Sequence, residues 1–339
     1  MSDVRVIKLG GTSLGSPSRI RLAARRLRAH ARGGARVVAV VSAVDGTTDR
    51  IVRLLARVSG GRPSPRECDR ALATGEDLSA ALLASALAAL GVPARSLRGG
   101  EAGIRAEGGH CGGRLARVDP APLRALLDAG VVPVVSGFQG LRADGETLTL
   151  GRGASDLSAV AIAAALGAEC HIVTDVAGVF DRDPRRNPGA RLYRQLDHHE
   201  LLRLAEAGAK VVHREAATEA LRAAVPLRVY HFRAPLEGEH GTTVDSALTA
   251  APLWIASVLE PRARSAAPTA ADRSPGASQS PLIAEIPPRE SAKADFGPLL
   301  PRFQPPGLPR CMAGGSLTTP PPGGARSGST GGTRGDQRA

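Results

Sequence analysis

A lysine followed closely by two glycines stands near the start of the chain. The segment Lys8-Leu9-Gly10-Gly11-Thr12-Ser13 continues an apolar run and precedes a predicted helix. Glycines let the backbone approach a bulky anion closely, and the amides that follow can direct N–H groups at it. The segment therefore predicts a phosphate-binding turn, with an ordinary βα turn and a surface lysine as the alternative.

A second glycine-rich segment opens directly into another predicted helix. It reads Gly151-Arg152-Gly153-Ala154-Ser155-Asp156, and Asp156 stands where an N-cap or first-turn residue of that helix is expected. The alternative is a plain Ser-Asp helix cap with Arg152 in solvent.

Three further segments bring charged residues to predicted loops. After an apolar run that ends at Thr174, residues 175–185 form a charged loop of the kind that recognises nucleotides in an α/β sheet. Lys210 follows a short helix and could reach a phosphate. Glu76, in Thr74-Gly75-Glu76, places a carboxylate beside a flexible point that interrupts a helix. Each segment also fits a plain surface turn, lysine or glutamate.

Familiar nucleotide and metal motifs are absent from the sequence. Neither Gly-x-x-x-x-Gly-Lys-Ser/Thr nor Gly-x-Gly-x-x-Gly occurs, and no set of Ser, His and Asp stands out. His110 with Cys111, and His198 with His199, lack metal-ligand spacing. The four cysteines show no zinc or disulfide spacing. We expect free thiols in a reducing cytoplasm and no metal held by the protein alone.

Apolar runs alternate with helical patterns over residues 1–245, which predicts an α/β fold with a mainly parallel sheet covered by helices. The predicted strands are 4–9, 37–41, 131–135, 171–174 and 227–232. The predicted helices are 18–31, 47–58, 65–90, 123–129, 156–166, 198–206 and 215–223. Residues 246–339 contain 15 Pro and 11 Gly, which is typical of a disordered tail. Short apolar islands in it, such as 252–259, could dock on the body.

The charge balance does not indicate nucleic-acid binding. The chain has 339 residues and a formal net charge of +12, but the charge is diffuse and the most basic helix lacks aromatics that would stack on bases. No secretory signal is apparent at the start, and the most apolar stretches are too short to span a bilayer. We therefore expect no membrane partner.

Taken in order, these segments resemble the aspartokinase branch of the amino acid kinase superfamily. Members carry Lys-Phe-Gly-Gly-Thr-Ser, Ser-Ala...Gly-x-Thr, Ser-Thr-Gly-Glu, Gly-Arg-Gly-Gly-Ser-Asp, Thr-Asp-Val-x-Gly-Val-Tyr...Asp-Pro-Arg and Ala-Lys-Val-x-His. The corresponding segments here are Lys8 to Ser13, Ser42-Ala43...Gly46-Thr47-Thr48, Thr74 to Glu76, Gly151 to Asp156, Thr174 to Arg185 and Ala209 to His213. The match spans residues 4 to about 244, and six ordered motifs over that length are specific.

The resemblance implies a three-layer αβα sandwich that transfers the γ-phosphoryl group of ATP to the side-chain carboxylate of L-aspartate. The product is 4-phospho-L-aspartate, and the reaction opens the biosynthesis of the aspartate-derived amino acids. Residues up to about 150 would bind the amino acid, and residues 151–245 would bind ATP. The resemblance leaves open that two copies of the chain form a homodimer through this kinase domain.

The resemblance also assigns roles to single residues. Lys8 and Asp156 would be catalytic: Lys8, with the amides of Gly10, Gly11 and Ser13, would stabilise the transferring phosphoryl group. Lys210 would reach the nucleotide phosphates, and Asp156 would orient both lysines. The remaining nucleotide contacts would be Thr174, Asp175, Phe180, Asp183 and Arg185. Mg²⁺ would be held mainly by the phosphates and water, without a protein cage.

For the amino acid, the resemblance places Arg152 on a carboxylate and Glu76 on the α-ammonium group. Nearby hydroxyls would come from Ser42, Thr48 and Ser155.

Some residues depart from the family pattern. The second glycine of the Arg-Gly-Gly-Ser-Asp loop is Ala154, where a Cβ would cost about 1 kcal/mol if the position needs a positive φ. The proline that usually follows Ala-Lys-Val-x-His is Arg214. A tail rich in Pro and Gly does not replace the regulatory ACT modules common in aspartokinases, so feedback inhibition through such modules is not expected.

Two alternatives stay open at this point. One is another activity of the superfamily, on glutamate, N-acetylglutamate, carbamate or a nucleoside monophosphate, although Glu76 argues against acceptors that lack an ammonium group. The other is a catalytically silent ATP-binding subunit, which Ala154 and Arg214 would favour.

Overall fold

The computed structural model describes residues 3–209, 211–234 and 240–246, together with the backbone of residues 254 and 255. Its strands are β1 (Val4–Leu9), β2 (Arg36–Val41), β3 (Ala94–Leu97), β4 (Ile104–Glu107), β5 (Arg114–Val118), β6 (Val132–Ser136), β7 (Gln139–Leu141), β8 (Thr147–Thr149), β9 (Glu169–Thr174), β10 (Leu192–Tyr193), β11 (Gln195–Leu196), β12 (Leu227–His231), β13 (Thr242–Val244) and β14 (Trp254–Ile255). Its helices are α1 (Pro17–Arg32), α2 (Thr47–Val58), α3 (Pro65–Ala88), α4 (Ala121–Asp128), α5 (Ala154–Leu166), α6 (His198–Glu206) and α7 (Arg214–Ala223).

An eight-stranded sheet forms the middle layer, in the order β11-β13-β12-β9-β1-β2-β6-β3. From β12 to β3 every neighbouring pair is parallel. The side chains of β1 alternate between two cores, with Val4 and Val6 in one and Ile7 and Leu9 in the other. Helices α4 to α7 cover the first core, and α1 and α3 cover the second. The expected three-layer αβα sandwich is confirmed.

The apolar runs predicted the five strands that form the centre of this sheet, and helical periodicity predicted each of the seven α-helices of the described residues to within a few residues. The pattern missed a second sheet of four strands in the order β5-β4-β7-β8. Its strands have three to five residues each, and β5 is exposed along most of its length. Strands this short and polar carry too little hydrophobic alternation to be recognised.

Most of the predicted tail, 246–339, lies outside the described residues. Within the apolar island at 252–259, Trp254 and Ile255 form β14, which pairs with β10 in antiparallel register. This pairing lies beyond the predicted domain boundary at 245.

Helix α3 runs without a break through Thr74, Gly75 and Glu76, so the expected interruption at this point is wrong. A Cβ added to Gly75 would lie 2.9 Å from the Cβ atom of Ala43 and 3.5 Å from Cγ2 of Thr47. Glycine is therefore required by close packing, because it lets the loop between β2 and α2 lie against α3. Flexibility is not the reason for it.

The same helix has the length and apolar composition of a membrane span, with a mean hydropathy of 1.2 over its most apolar 18-residue window. In this structure, Leu83 and Leu87 are buried in the second core, which α1 and α3 cover. Asp69 and Glu76, on the same helix, are also buried. Helix α3 is thus a core helix of the sandwich that also carries two buried carboxylates.

Replacing Gly75 with Ala tests this packing. Alanine stabilises an exposed helix interior by about 1 kcal/mol relative to glycine, but here the added methyl group must displace Ala43, so we expect a net loss of about 1–3 kcal/mol. Urea unfolding measures the difference. Thr74→Ala, at the exposed neighbouring position, serves as the control and changes stability by less than about 0.5 kcal/mol. A Gly75→Ala variant more stable than the parent would contradict the packing argument.

Candidate functional site

The glycine-rich segments meet where β1, β2 and β9 end. Strand β1 lies at the centre of the sheet, and the chain leaves it first towards β2, β6 and β3 and later towards β9 and β12. In open α/β sheets, ligands bind beyond the carboxyl ends of the strands at such a point of reversal. Three adjoining chambers lie there.

We call them the first, second and third chambers. The first, of about 470 Å³, is lined by Lys8, Ser42, Thr48, Asp49, Leu72, Glu76, Cys111, Phe138, Thr149 and Gly151 to Asp156. The second, of about 380 Å³, is lined by Lys8, Gly10, Gly11, Thr12, Ala43 to Gly46, Thr48, Asp49, Asp156, Ile172 to Thr174 and Val211. The third, of about 420 Å³, is lined by Thr174 to Val176, Phe180 to Arg186, Leu204, Ala207 to Ala209 and Val211.

The chambers share walls and form one continuous cleft. Lys8 and Asp156 line both the first and the second chamber. Thr174 and Val211 line both the second and the third. A molecule in the third chamber can therefore extend through the second to reach one bound in the first.

An ion pair marks the junction of the first two chambers. The Nζ atom of Lys8 lies 2.8 Å from Oδ1 of Asp156, and the two side chains are only 13% and 11% exposed. Strand alternation turns Lys8 towards the face covered by α5, and Asp156 lies in the first turn of that helix. A carboxylate is stabilised there by the helix dipole. The pair holds an ammonium group in place where an anion from either chamber can meet it.

Gly11 is required by the close approach of two loops. A Cβ at Gly11 would lie 2.5 Å from the carbonyl oxygen of Ala43, and one at Gly10 would lie 3.5 Å from Nζ of Lys8. Ser13 is placed differently from its neighbours: its amide donates to the carbonyl of Gly10 at 2.9 Å, and its buried side chain is not part of the chamber wall. Thr12 lines the second chamber instead.

The second glycine-rich segment adopts a conformation that two of its glycines make accessible. Gly151 has φ 84° and Gly153 has φ 76°, in the left-handed region that glycine adopts at little cost. Gly153 is also the N-cap of α5, and a Cβ there would overlap the ring of His213. His213 thus ties the loop before α7 to the start of α5.

Two residues of this segment were predicted to bind the amino acid, and both line the first chamber: Arg152 and Ser155. Arg152 is exposed there and Ser155 is buried. The predicted hydroxyls of Ser42 and Thr48 lie in the same wall.

Glu76 is a buried carboxylate with unused hydrogen-bonding capacity. It is 4% exposed, and its Oε1 atom accepts a hydrogen bond from the amide of Ala43 at 2.9 Å. Its Oε2 atom has no hydrogen-bond partner among the described residues. Burial raises the pKa of Glu76 to about 7, against the opposing effect of the Ala43 amide. A cation in the first chamber would satisfy this oxygen and favour the ionised form.

All five nucleotide contacts predicted beyond the sheet, Thr174, Asp175, Phe180, Asp183 and Arg185, line the third chamber. The guanidinium of Arg185 lies 2.5 Å from Asp175, and its amide donates to Asp183 at 2.9 Å. Lys210 lies outside the described residues, while its neighbours Ala209 and Val211 line this chamber.

The sequence did not single out some residues of the cleft. Asp45 and Asp49 line the second chamber, and the turn that follows β2 was a signal for the first of them. Phe138 and Cys111 line the first chamber with φ values of 68° and 60°. No local pattern indicates a left-handed conformation at residues of these types.

Known protein families include one whose profile matches most of this chain. The profile of the amino acid kinase family matches residues 3–231. The chain belongs to the amino acid kinase family.

Curated relatives and solved structures indicate which members of the family this chain is similar to. The aspartokinase of Geobacillus stearothermophilus is 47% identical over 240 residues, which are 70% of this chain and 58% of the relative. The aspartate kinase from Synechocystis is similar with a TM-score of 0.62 and 39% identity, covering 72% of this chain and 40% of that one. E. coli aspartokinase III in complex with aspartate and ADP gives a TM-score of 0.63 at 26% identity, covering 71% and 64%. The chain thus spans 58% of the length of the first curated relative.

The departures from the family pattern are accommodated. Ala154 is a buried residue in the first turn of α5, and the positive φ angles of the loop fall on Gly151 and Gly153. Ala154 therefore does not carry the cost that a Cβ would have at a position with a positive φ. Arg214 begins α7 as an exposed residue, 3.7 Å from Glu206. Both residues are compatible with the geometry of the cleft.

The raised pKa of Glu76 makes stability depend on pH. Between about pH 4.5 and 7 the unfolded chain ionises this group first, so the ligand-free protein loses stability relative to Glu76→Gln as pH rises. The expected loss is on the order of 3 kcal/mol. Urea unfolding of both proteins from pH 4.5 to 8 measures it. The exposed Glu107→Gln serves as the control, and parallel curves for Glu76→Gln and its parent would overturn the assignment.

Proposed function

We propose that this chain is an aspartate kinase, which transfers the γ-phosphoryl group of ATP to the side-chain carboxylate of L-aspartate and forms 4-phospho-L-aspartate. That product feeds the synthesis of the aspartate-derived amino acids. The observation that carries the proposal is the Lys8–Asp156 pair at the junction of two chambers. One chamber offers groups for an amino acid and the other offers a glycine turn for phosphates. The similarity to aspartokinases, one of them in complex with aspartate and ADP, supports it.

The first chamber fits the charges of an amino acid. The free Oε2 atom of Glu76 takes the α-ammonium group, and the planar guanidinium of Arg152 takes the α-carboxylate with two hydrogen bonds. The hydroxyls of Ser42, Thr48 and Ser155 add neutral donors. Acceptors without an ammonium group would leave the Glu76 carboxylate buried and unpaired, which is why an amino acid is favoured over carbamate or a nucleotide.

Transfer depends on position and charge rather than on covalent help from the protein. The aspartate side chain is ionised at neutral pH and needs no general base. One of its oxygens forms the new bond to the γ-phosphorus while the bond to the β-phosphate bridging oxygen breaks, and ADP leaves with that oxygen. Lys8 neutralises the charge that spreads over the phosphoryl oxygens, with help from the amides of Gly10 and Gly11. Asp156 orients Lys8.

The nucleotide fits the second and third chambers. Its phosphates lie along the glycine turn, where a Cβ at Gly11 would lie 2.5 Å from the carbonyl oxygen of Ala43. Its base and ribose lie against the third chamber, whose Arg185 is held by Asp175 and Asp183. Lys210 remains the predicted partner of the nucleotide phosphates, and Ser13 supports the turn through its bond to Gly10.

Mg²⁺ fits the second chamber. No group of three or more His, Cys, Asp or Glu among the described residues could hold a metal ion. The ion would keep several waters and bind mainly to the phosphates. Asp45 and Asp49 are exposed carboxylates of this chamber that can contact its waters. When bound, the ion neutralises phosphate charge.

The proposal also includes a cytoplasmic location and a homodimer.

Trapping with hydroxylamine tests the reaction. The purified chain, supplied with MgATP and L-aspartate, should form aspartyl hydroxamate, which is measured by the colour of its ferric complex. Lys8→Met keeps the length and apolar stem of the side chain but removes its charge, so hydroxamate should fall by about a hundredfold or more.

The matched control is Arg21→Ala, which removes a charge from the exposed face of α1 and should react like the parent. Thermal unfolding confirms that each variant folds. A parent that binds ATP in calorimetry but makes no hydroxamate from aspartate would refute the proposed acceptor.

Aspartate binding should also follow the ionisation of Glu76. Since the ammonium group binds the carboxylate form, KM for aspartate should fall as pH rises from 6 to 8, through the raised pKa. Glu76→Gln should raise KM by about tenfold or more and remove this dependence. Steady-state rates at fixed saturating MgATP measure both effects. A glutamine variant with the parental KM would show that the ammonium group binds elsewhere.

A further inference from the structure

A second buried carboxylate on α3 lies just behind the wall of the first chamber. Asp69 is 0% exposed and belongs to none of the three chamber linings. It precedes Glu76 by seven residues, a spacing that puts both on one side of the helix. A fully buried carboxylate is costly unless donors surround it, so its partners indicate its role.

Three donors from two distant segments meet Asp69. The hydroxyl of Thr149, at the end of β8, donates to it at 2.5 Å. The amide of Cys111, in the turn between β4 and β5, donates at 3.1 Å. Nδ1 of His110, in the same turn, lies 2.8 Å away. Charge-assisted hydrogen bonds of this kind are strong, and here they join α3, β8 and the turn at one point.

The ring of His110 is contacted from two sides. Its Nδ1 atom faces Asp69, and Nη2 of Arg142 lies 3.5 Å from its Nε2 atom. Arg142 also donates to the carbonyl of Gly108 at 3.2 Å. The turn is therefore held from its outer side as well.

Two of these partners are part of the first chamber. Cys111 and Thr149 both line it. Cys111 has φ 60°, a left-handed conformation that costs a residue with a Cβ about 1 kcal/mol or more. The hydrogen bond from its amide to Asp69 offsets that cost. Without Asp69, the turn would lose the contact that keeps Cys111 in the wall.

We propose that Asp69 is a positioning residue for the amino-acid acceptor: through Cys111 and Thr149 it fixes the wall of the first chamber, and so it sets the affinity for the acceptor. This inference rests on the proposed function. Asp69, His110, Cys111 and Thr149 line neither the second nor the third chamber. The effect of Asp69 therefore falls on aspartate and not on ATP.

Steady-state kinetics of Asp69→Asn separate the two substrates. The amide keeps the size of the side chain but turns an NH₂ group towards donors. We expect KM for aspartate to rise about tenfold or more, with KM for ATP and kcat within about threefold of the parent. Glu67→Gln is the matched control, because Glu67 is an exposed carboxylate on the same helix and lines none of the three chambers. Its KM values should stay within about twofold.

Alkylation of Cys111 gives a readout that does not need turnover. Iodoacetamide labelling is followed by the mass of the peptide that contains Cys111. In the parent, aspartate should slow labelling, because Cys111 lines the acceptor chamber. In Asp69→Asn the same aspartate concentration should protect less. Labelling without ligand should also be faster, because burial and the Asp69 charge raise the pKa of the Cys111 thiol in the parent.

A second variant and the labelling of Cys111 test the role of Asp69 independently. If Asp69→Asn does not fold, Thr149→Val removes one of the three donors at nearly constant volume and should still raise KM for aspartate selectively. Unchanged KM for aspartate, or equal rises for aspartate and ATP, would overturn the role of Asp69. If the parent makes no hydroxamate from aspartate, the proposed function fails instead. Ligand-free labelling of Cys111 in the parent and Asp69→Asn then still decides whether Asp69 holds the wall.

Discussion

The cleft depends on one ion pair, between Lys8 on the central strand and Asp156 at the start of α5. Neither charge could be largely withdrawn from water alone, so each requires the other in place. That requirement fixes where α5 crosses the sheet. Because α5 is buried along most of its length, the elements that pack against it must take positions that match its own. The position of the Lys8 ammonium group is thus a property of the whole sandwich.

Ala43 shows how closely the loops around this pair approach each other. Its carbonyl oxygen faces Gly11, its Cβ atom faces Gly75, and its amide donates to Glu76. A side chain on either glycine would push one loop away. The glycine turn after β1 and helix α3 are therefore both held in place by a single residue whose side chain is only a methyl group.

The two buried carboxylates of α3 show that environment, and not residue type, separates their tasks. Asp69 is surrounded by three donors and has no contact with any chamber. Glu76 has one donor and one free oxygen, and burial raises its pKa to about 7. A saturated carboxylate stabilises structure, while an unsaturated one at a chamber wall is ready for a cation. One helix thus supplies both the proposed ligand of the amino acid, Glu76, and the residue proposed to support the chamber wall, Asp69.

The sequence by itself determined the central strands, the helices and the segments that surround the cleft. Those features arise from hydrophobic periodicity and from glycine turns, which act between residues close together in the chain. Only the tertiary structure decided that Gly75 is a packing position, that His213 covers Gly153 and that Cys111 is left-handed. The link from Asp69 to Cys111 joins residues 42 apart, and the link to Thr149 joins residues 80 apart. Such contacts depend on how loops dock on the finished sheet, and no local pattern encodes that docking.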